Sequence, residues 1–155
     1  MHDARALLTP AAFGGVVATV LGSHPGMEEA AAERIVAEAL KFVDAAAQFP
    51  AVKITPSAVV EEGWHALILH TNLYEGLCDR LGRFVHHWPG RPGAERPDEQ
   101  ALARTVTMIE QAGHTVDGEL WAASARVPVP VAAGVPVARP GSGPARGAGV
   151  PSSGE

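Results

Sequence analysis

Cysteine is nearly absent: the one thiol in 155 residues, Cys78, excludes an intramolecular disulfide framework and any all-cysteine metal site built by a single chain. Lysine is almost as scarce. Two lysines, Lys41 and Lys53, stand beside ten arginines, and the formal charge is -5. That balance leaves no basic stripe for DNA, RNA or an anionic membrane. Aromatic residues make up 5% of the chain against 46% hydrophobic residues overall. The core must therefore be built from Leu, Val, Ile and Ala, a composition that favours helix over sheet. No long apolar run is present either. Residues 13–21 are too short to cross a bilayer, and the start Met1-His2-Asp3-Ala4-Arg5 lacks the cationic opening of a secretory signal. No glycine-rich nucleotide loop, nucleophile motif or His-Glu-x-x-His pattern occurs. A protein of the reducing cytoplasm without a nucleotide cofactor is the expectation.

What the chain does contain is helical punctuation. Thr9-Pro10 opens a helix to about Leu21, with Thr9 as N-cap and Pro10 at the first helical position. After a turn at residues 22–26, residues 27–49 give the strongest helical signal, with Glu28, Glu29 and Glu33 near the positive end of the helix dipole. Thr55 and Ser57 are alternative N-caps for a helix carrying Val59, Val60, Trp64, Leu67 and Ile68 on a wide apolar face. Thr71 is the expected cap of a further helix that ends at Gly82. Asp98 caps a last one running to about Ala112, and Leu120-Trp121 packs back on the bundle. Residues 89–97 read as a loop of proline and glycine. The prediction is an all-α fold: a small bundle of about four main helices in one domain, residues 1–124, followed by a disordered tail, 125–155, rich in Pro, Gly and Val.

Chemistry concentrates in one stretch. Four of the seven histidines, His65, His70, His86 and His87, lie within 23 residues together with Glu61, Glu62, Glu75 and Cys78. Imidazole, thiol and carboxylate are the donors of transition-metal sites. Glu61 and His65 are one helical turn apart and share a face. Glu62 and His65 form one Glu-x-x-His half-motif of a di-iron bundle, but the second half is absent. His65 and His70 are five apart, so they diverge around an ideal helix. Each residue also has a plain structural reading. His65 fits a core histidine bonded to a carbonyl, His86 and His87 fit C-terminal helix caps, and Cys78 fits a small buried hydrophobe. Trp64, Tyr74, Phe84 and Trp88 fit packing anchors in an aromatic-poor chain.

The run Pro56-Ser57, Val60-Glu61, Trp64-His65, Ile68-Leu69, then Tyr74, Cys78 and Phe84-Val85-His86-His87 resembles the bacterial glycine-rich domain-containing protein-like family. Glu61 stands where that family usually has Asp, and Leu77 where a Phe precedes the Cys. The family's short cysteine-rich continuation has no counterpart here. The resemblance implies that Trp-His and His-His belong to a functional constellation, and it names no reaction. The resulting expectation is a metal site drawn from His65, His86, His87, Cys78 and Glu61, with zinc or iron as the ion. The competing expectation is a protein- or peptide-interaction module without catalysis.

Overall fold

A computed structural model describes residues 3–87 and 97–128, and among these the secondary structure is entirely helical. A 3-10 turn at Ala4–Leu7 precedes α1 (Pro10–Ser23), α2 (Glu29–Gln48), α3 (Ala58–Leu69), α4 (Thr71–Leu81) and α5 (Glu99–Gln111). A second 3-10 turn, Gly118–Trp121, closes the order. The five α-helices among the described residues are the segments marked by the caps, and the all-α bundle is as expected.

The ends of the helices follow their caps. Thr9 accepts from the Ala12 N–H at 3.1 Å, Ser57 from Val60 at 3.1 Å and Asp98 from Ala101 at 2.8 Å, each satisfying an orphan donor of the first turn. Gly82 sits at φ 91°, the left-handed position where glycine carries no Cβ penalty, and ends α4. Thr71 departs from expectation. It is the first residue of α4, and His70 occupies the cap position with no side-chain capping bond.

α2 is the hub. It packs against α1, α3, α4, α5 and the first 3-10 turn, so it is buried around most of its circumference. Ile35, Val36, Ala39, Leu40 and Val43 are fully enclosed, as are Val59, Val60 and Leu67 of α3. Two carboxylates are buried on the same helix, Glu38 and Asp44. Both are satisfied by the segment after α5: Glu38 accepts from the Trp121 indole at 2.9 Å and the Asp117 backbone at 3.1 Å, and Asp44 meets His114 at 2.7 Å. These bonds tie residues 114–121 across α2, which is why Leu120 and Trp121 return to the core.

α3 lies unusually close to α2. A Cβ built at Gly63 would stand 2.8 Å from the Ile35 carbonyl oxygen and 2.9 Å from Ile35 Cγ2. A glycine in mid-helix costs about 1 kcal/mol in propensity, and here the close approach of the two backbones requires it. Packing also runs past the expected domain edge at residue 124, since Ala125 and Val127 rest on the core. The remainder of the expected tail, 129–155, and the expected loop with Trp88 and Pro89 fall outside the described residues, apart from Pro97 at the loop's end. No helix among the described residues is long and apolar enough to cross a membrane.

Candidate functional site

Residues 84–87 leave α4 and run back past α3, and three side chains hold them there. The Trp64 indole N–H donates to the Tyr74 hydroxyl at 3.0 Å, which in turn donates to the Val85 carbonyl at 2.5 Å. The Val85 N–H is directed at Cys78 Sγ, 3.5 Å away. Both backbone polar groups of one residue are thus satisfied by buried side chains, and an extended segment is fixed without a strand partner. Tyr74 and Cys78 are four apart on α4, so one face of that helix supplies both.

Cys78, one of the expected ligands, is fully buried, and its sulfur faces the Val85 N–H. His86 also points elsewhere, its ring 4.7 Å from that of Phe84, which packs at a right angle on Tyr74. Phe84 itself is 47% exposed, more a surface group than the expected anchor. Neither His86 nor His87 caps a helix, since α4 has already ended at Gly82.

Three of the expected residues do come together. His87 stacks edge-on against Trp64, with ring centroids 4.6 Å apart, and its Nε2 lies 3.1 Å from Glu61 Oε2. His65, one turn along α3 from Glu61 and solvent-exposed, has its ring centroid 6.3 Å from that of His87 at an interplanar angle of 37°. Glu62 faces a different neighbour, His24 at 3.0 Å, so its half-motif with His65 is not used as one. His70 joins Thr19 of α1 at 2.7 Å. Among the described residues no group of three His, Cys, Asp or Glu is already arranged to hold a metal ion. Glu61 and His87 form a ready pair, and His65 stands beside it.

The pattern of one family matches residues 6–115, which takes in every residue of this site. The chain belongs to the UCP032817-like family. This corrects the resemblance to the glycine-rich domain-containing protein-like family: the shared Trp-His and His-His spacing is short, whereas the UCP032817-like match extends from the first 3-10 turn to beyond α5. No curated protein and no solved structure matches the chain.

Within this UCP032817-like chain the support of the site carries a measurable signature. Burial pushes the Tyr74 phenol well above its ordinary range. A group whose pKa is raised by folding contributes stability that is complete below its unfolded value, about 10 for tyrosine, and lost as pH rises toward the folded value. Tyr74 is the only tyrosine of the chain. An alkaline titration is expected to show no tyrosinate absorbance near pH 10 while the helical circular dichroism persists, and both signals to change together at higher pH. Ionisation near pH 10 in the folded protein would contradict the burial of this hydroxyl.

Proposed function

We propose that the protein binds a divalent first-row metal, zinc or iron(II), through Glu61, His87 and His65. The observation that carries this reading is the 3.1 Å separation of Glu61 Oε2 and His87 Nε2. This contact is a hydrogen bond and ion pair, and two ligands about 2.1 Å from one ion, subtending about 90–110°, stand about 3.0–3.4 Å apart, so an ion replacing the shared proton would need little movement of either group. Two imidazoles on one tetrahedral ion have ring centroids about 5 Å apart. His65 must close by about 1 Å from its 6.3 Å position, and an exposed side chain does so by rotation about its own bonds. Two imidazoles and a carboxylate leave coordination positions open, so such an ion would hold water and activate it or polarise a bound substrate. The buried free thiol suits a reducing cytoplasm.

Titrating zinc and iron(II) into untagged protein is expected to give a one-to-one complex and a rise in melting temperature with metal concentration. His65→Ala and His87→Ala are each expected to weaken it by more than about 100-fold, since even outer-shell partners of metal ligands contribute about 10–100-fold. His86→Ala is expected to change little. Saturation that survives both ligand substitutions, or no saturation at all, rejects the site.

A second reading rests on its own observation. The two large hydrophobic residues that remain exposed among those described, Leu69 and Phe84, flank this same surface: Leu69 is one turn beyond His65 on α3, and Phe84 packs on His86. A protein or peptide partner with an apolar side chain would cover them. Metal-independent loss of partner binding in Leu69→Lys with Phe84→Ser, with metal affinity intact, separates this reading from the first.

A further inference from the structure

An open cavity of about 430 Å³ is bounded by the first 3-10 turn, α2 and residues 115–117. Its volume is in the range of small-molecule sites. Arg5, Arg34 and Lys41 line it together with Asp3, Glu38 and Asp117, and Ala4, Ala37 and Val116 supply apolar wall.

The acceptors of this cavity are already committed. Glu38 Oε1 takes the Trp121 indole and the Asp117 N–H, and its Oε2 takes Lys41. The Asp117 carboxylate receives the Arg34 fork at 2.7 and 3.0 Å, which holds its pKa below the usual carboxylate range. Asp3 caps the first 3-10 turn by accepting from Arg5 N–H at 3.0 Å. The donors are in surplus. Arg34 uses Nε and Nη2, the latter also on Glu119 at 2.6 Å, and its Nη1 has no hydrogen bond among the described residues. Lys41 gives two bonds, to Glu38 and to the Thr115 carbonyl, out of three that an ammonium can make. The only carboxylate paired with the Arg5 guanidinium among the described residues is Glu33, at 3.6 Å.

We propose that this cavity binds a small organic monocarboxylate, held by Arg34 Nη1, Arg5 and Lys41 with its apolar body against Ala4, Ala37 and Val116. The unused donors, on side chains open to the cavity, can take an acceptor, and a planar carboxylate matches a guanidinium edge. Charge limits the ligand further. Three cations face three carboxylates in the lining, and Glu119 beside Arg34 and Glu33 beside Arg5 bring the carboxylates to five. With no net positive field, recognition rests on hydrogen bonds to the guanidinium edges, and a monoanion is disfavoured less than a phosphate dianion or a polyphosphate. The cavity shares no residue with the Glu61, His65 and His87 cluster, so this proposal stands or falls independently of the metal.

Calorimetric titration of the full chain with propionate, pyruvate and benzoate, against phosphate and propylamine at matched ionic strength, tests it. Saturable one-to-one binding of at least one monocarboxylate is expected, weakened about tenfold or more in Arg34→Gln and in Arg5→Gln, as loss of a hydrogen bond to a charged group implies. Arg34 also holds Asp117, so Arg5→Gln and Lys41→Met decide the matter if Arg34→Gln does not fold. The proposal is overturned by saturation with none of the three monocarboxylates, by tighter binding of phosphate or propylamine, or by affinities unchanged in the folded variants.

Discussion

Glu38→Ala is expected to destabilise the fold by about 3–5 kcal/mol, a large share of the roughly 5–15 kcal/mol that holds a domain of this kind together. The Glu38 carboxylate is 1% exposed and accepts three bonds, from the Trp121 indole, the Asp117 backbone and the Lys41 ammonium. Removing it strands the buried Trp121 indole and the half-buried Asp117 N–H, and leaves Lys41, itself mostly covered, with the Thr115 carbonyl alone. The cost is that of desolvated groups left without partners, which exceeds the net worth of the bonds themselves. Glu38→Gln is the informative comparison. It keeps the shape and one carbonyl acceptor for Trp121 and Asp117, but it turns an amide toward Lys41, so about half the loss is expected. Urea unfolding followed by circular dichroism measures both. A loss under about 1 kcal/mol for the alanine variant would mean that water replaces the carboxylate and that residues 114–121 are not held to α2 in this way.

The parts of this fold that were legible in the sequence are those set by neighbouring residues. Thr9, Ser57, Asp98 and Gly82 end helices through bonds or torsions within a few positions of themselves, so their residue types announce the boundaries. The all-helical class followed from composition and period in the same way. Long-range partners carry no such local mark. Glu61 meets His87 across 26 residues and Glu38 meets Trp121 across 83, and neither pairing leaves a periodic trace. The candidate site was half legible for this reason: the density of His, Cys and Glu marked the region, but Cys78 and His86 could not be told from His65 and His87 until α4 and residues 84–87 were placed. One signal lies within a single helix. Tyr74 and Cys78 share a face of α4, and a hydroxyl and a thiol buried together point to a backbone they must satisfy. Glu38 and Asp44, each among apolar residues on the most buried helix, likewise demanded partners from elsewhere in the chain.

Gly63→Ala is expected to cost about 2–3 kcal/mol even though alanine is the better helix former. In an open helix the substitution would gain about 1 kcal/mol from propensity. Here the new methyl would stand 2.8 Å from the Ile35 carbonyl oxygen, 2.9 Å from Ile35 Cγ2 and 3.1 Å from Ala39 Cβ. None of these is the far end of a flexible side chain, so relief requires α3 to move away from α2, and overpacking of this kind costs about 1–3 kcal/mol or more. The movement reaches the site directly. Gly63 immediately precedes Trp64, which packs on Phe42 of α2 at 4.8 Å and holds Tyr74 through its indole. A retreat of α3 therefore loosens the support of Val85 and, with it, the alignment of His87 on Glu61. Two readouts check this: the urea midpoint falls, and the affinity of the proposed metal site falls further than in Gly76→Ala, a control on α4 where the nearest atom to a new Cβ is the flexible end of Arg80 at 3.6 Å. Equal stability of the two variants would show that α2 and α3 have room to part, and that the glycine before Trp64-His65 answers to something other than helix packing.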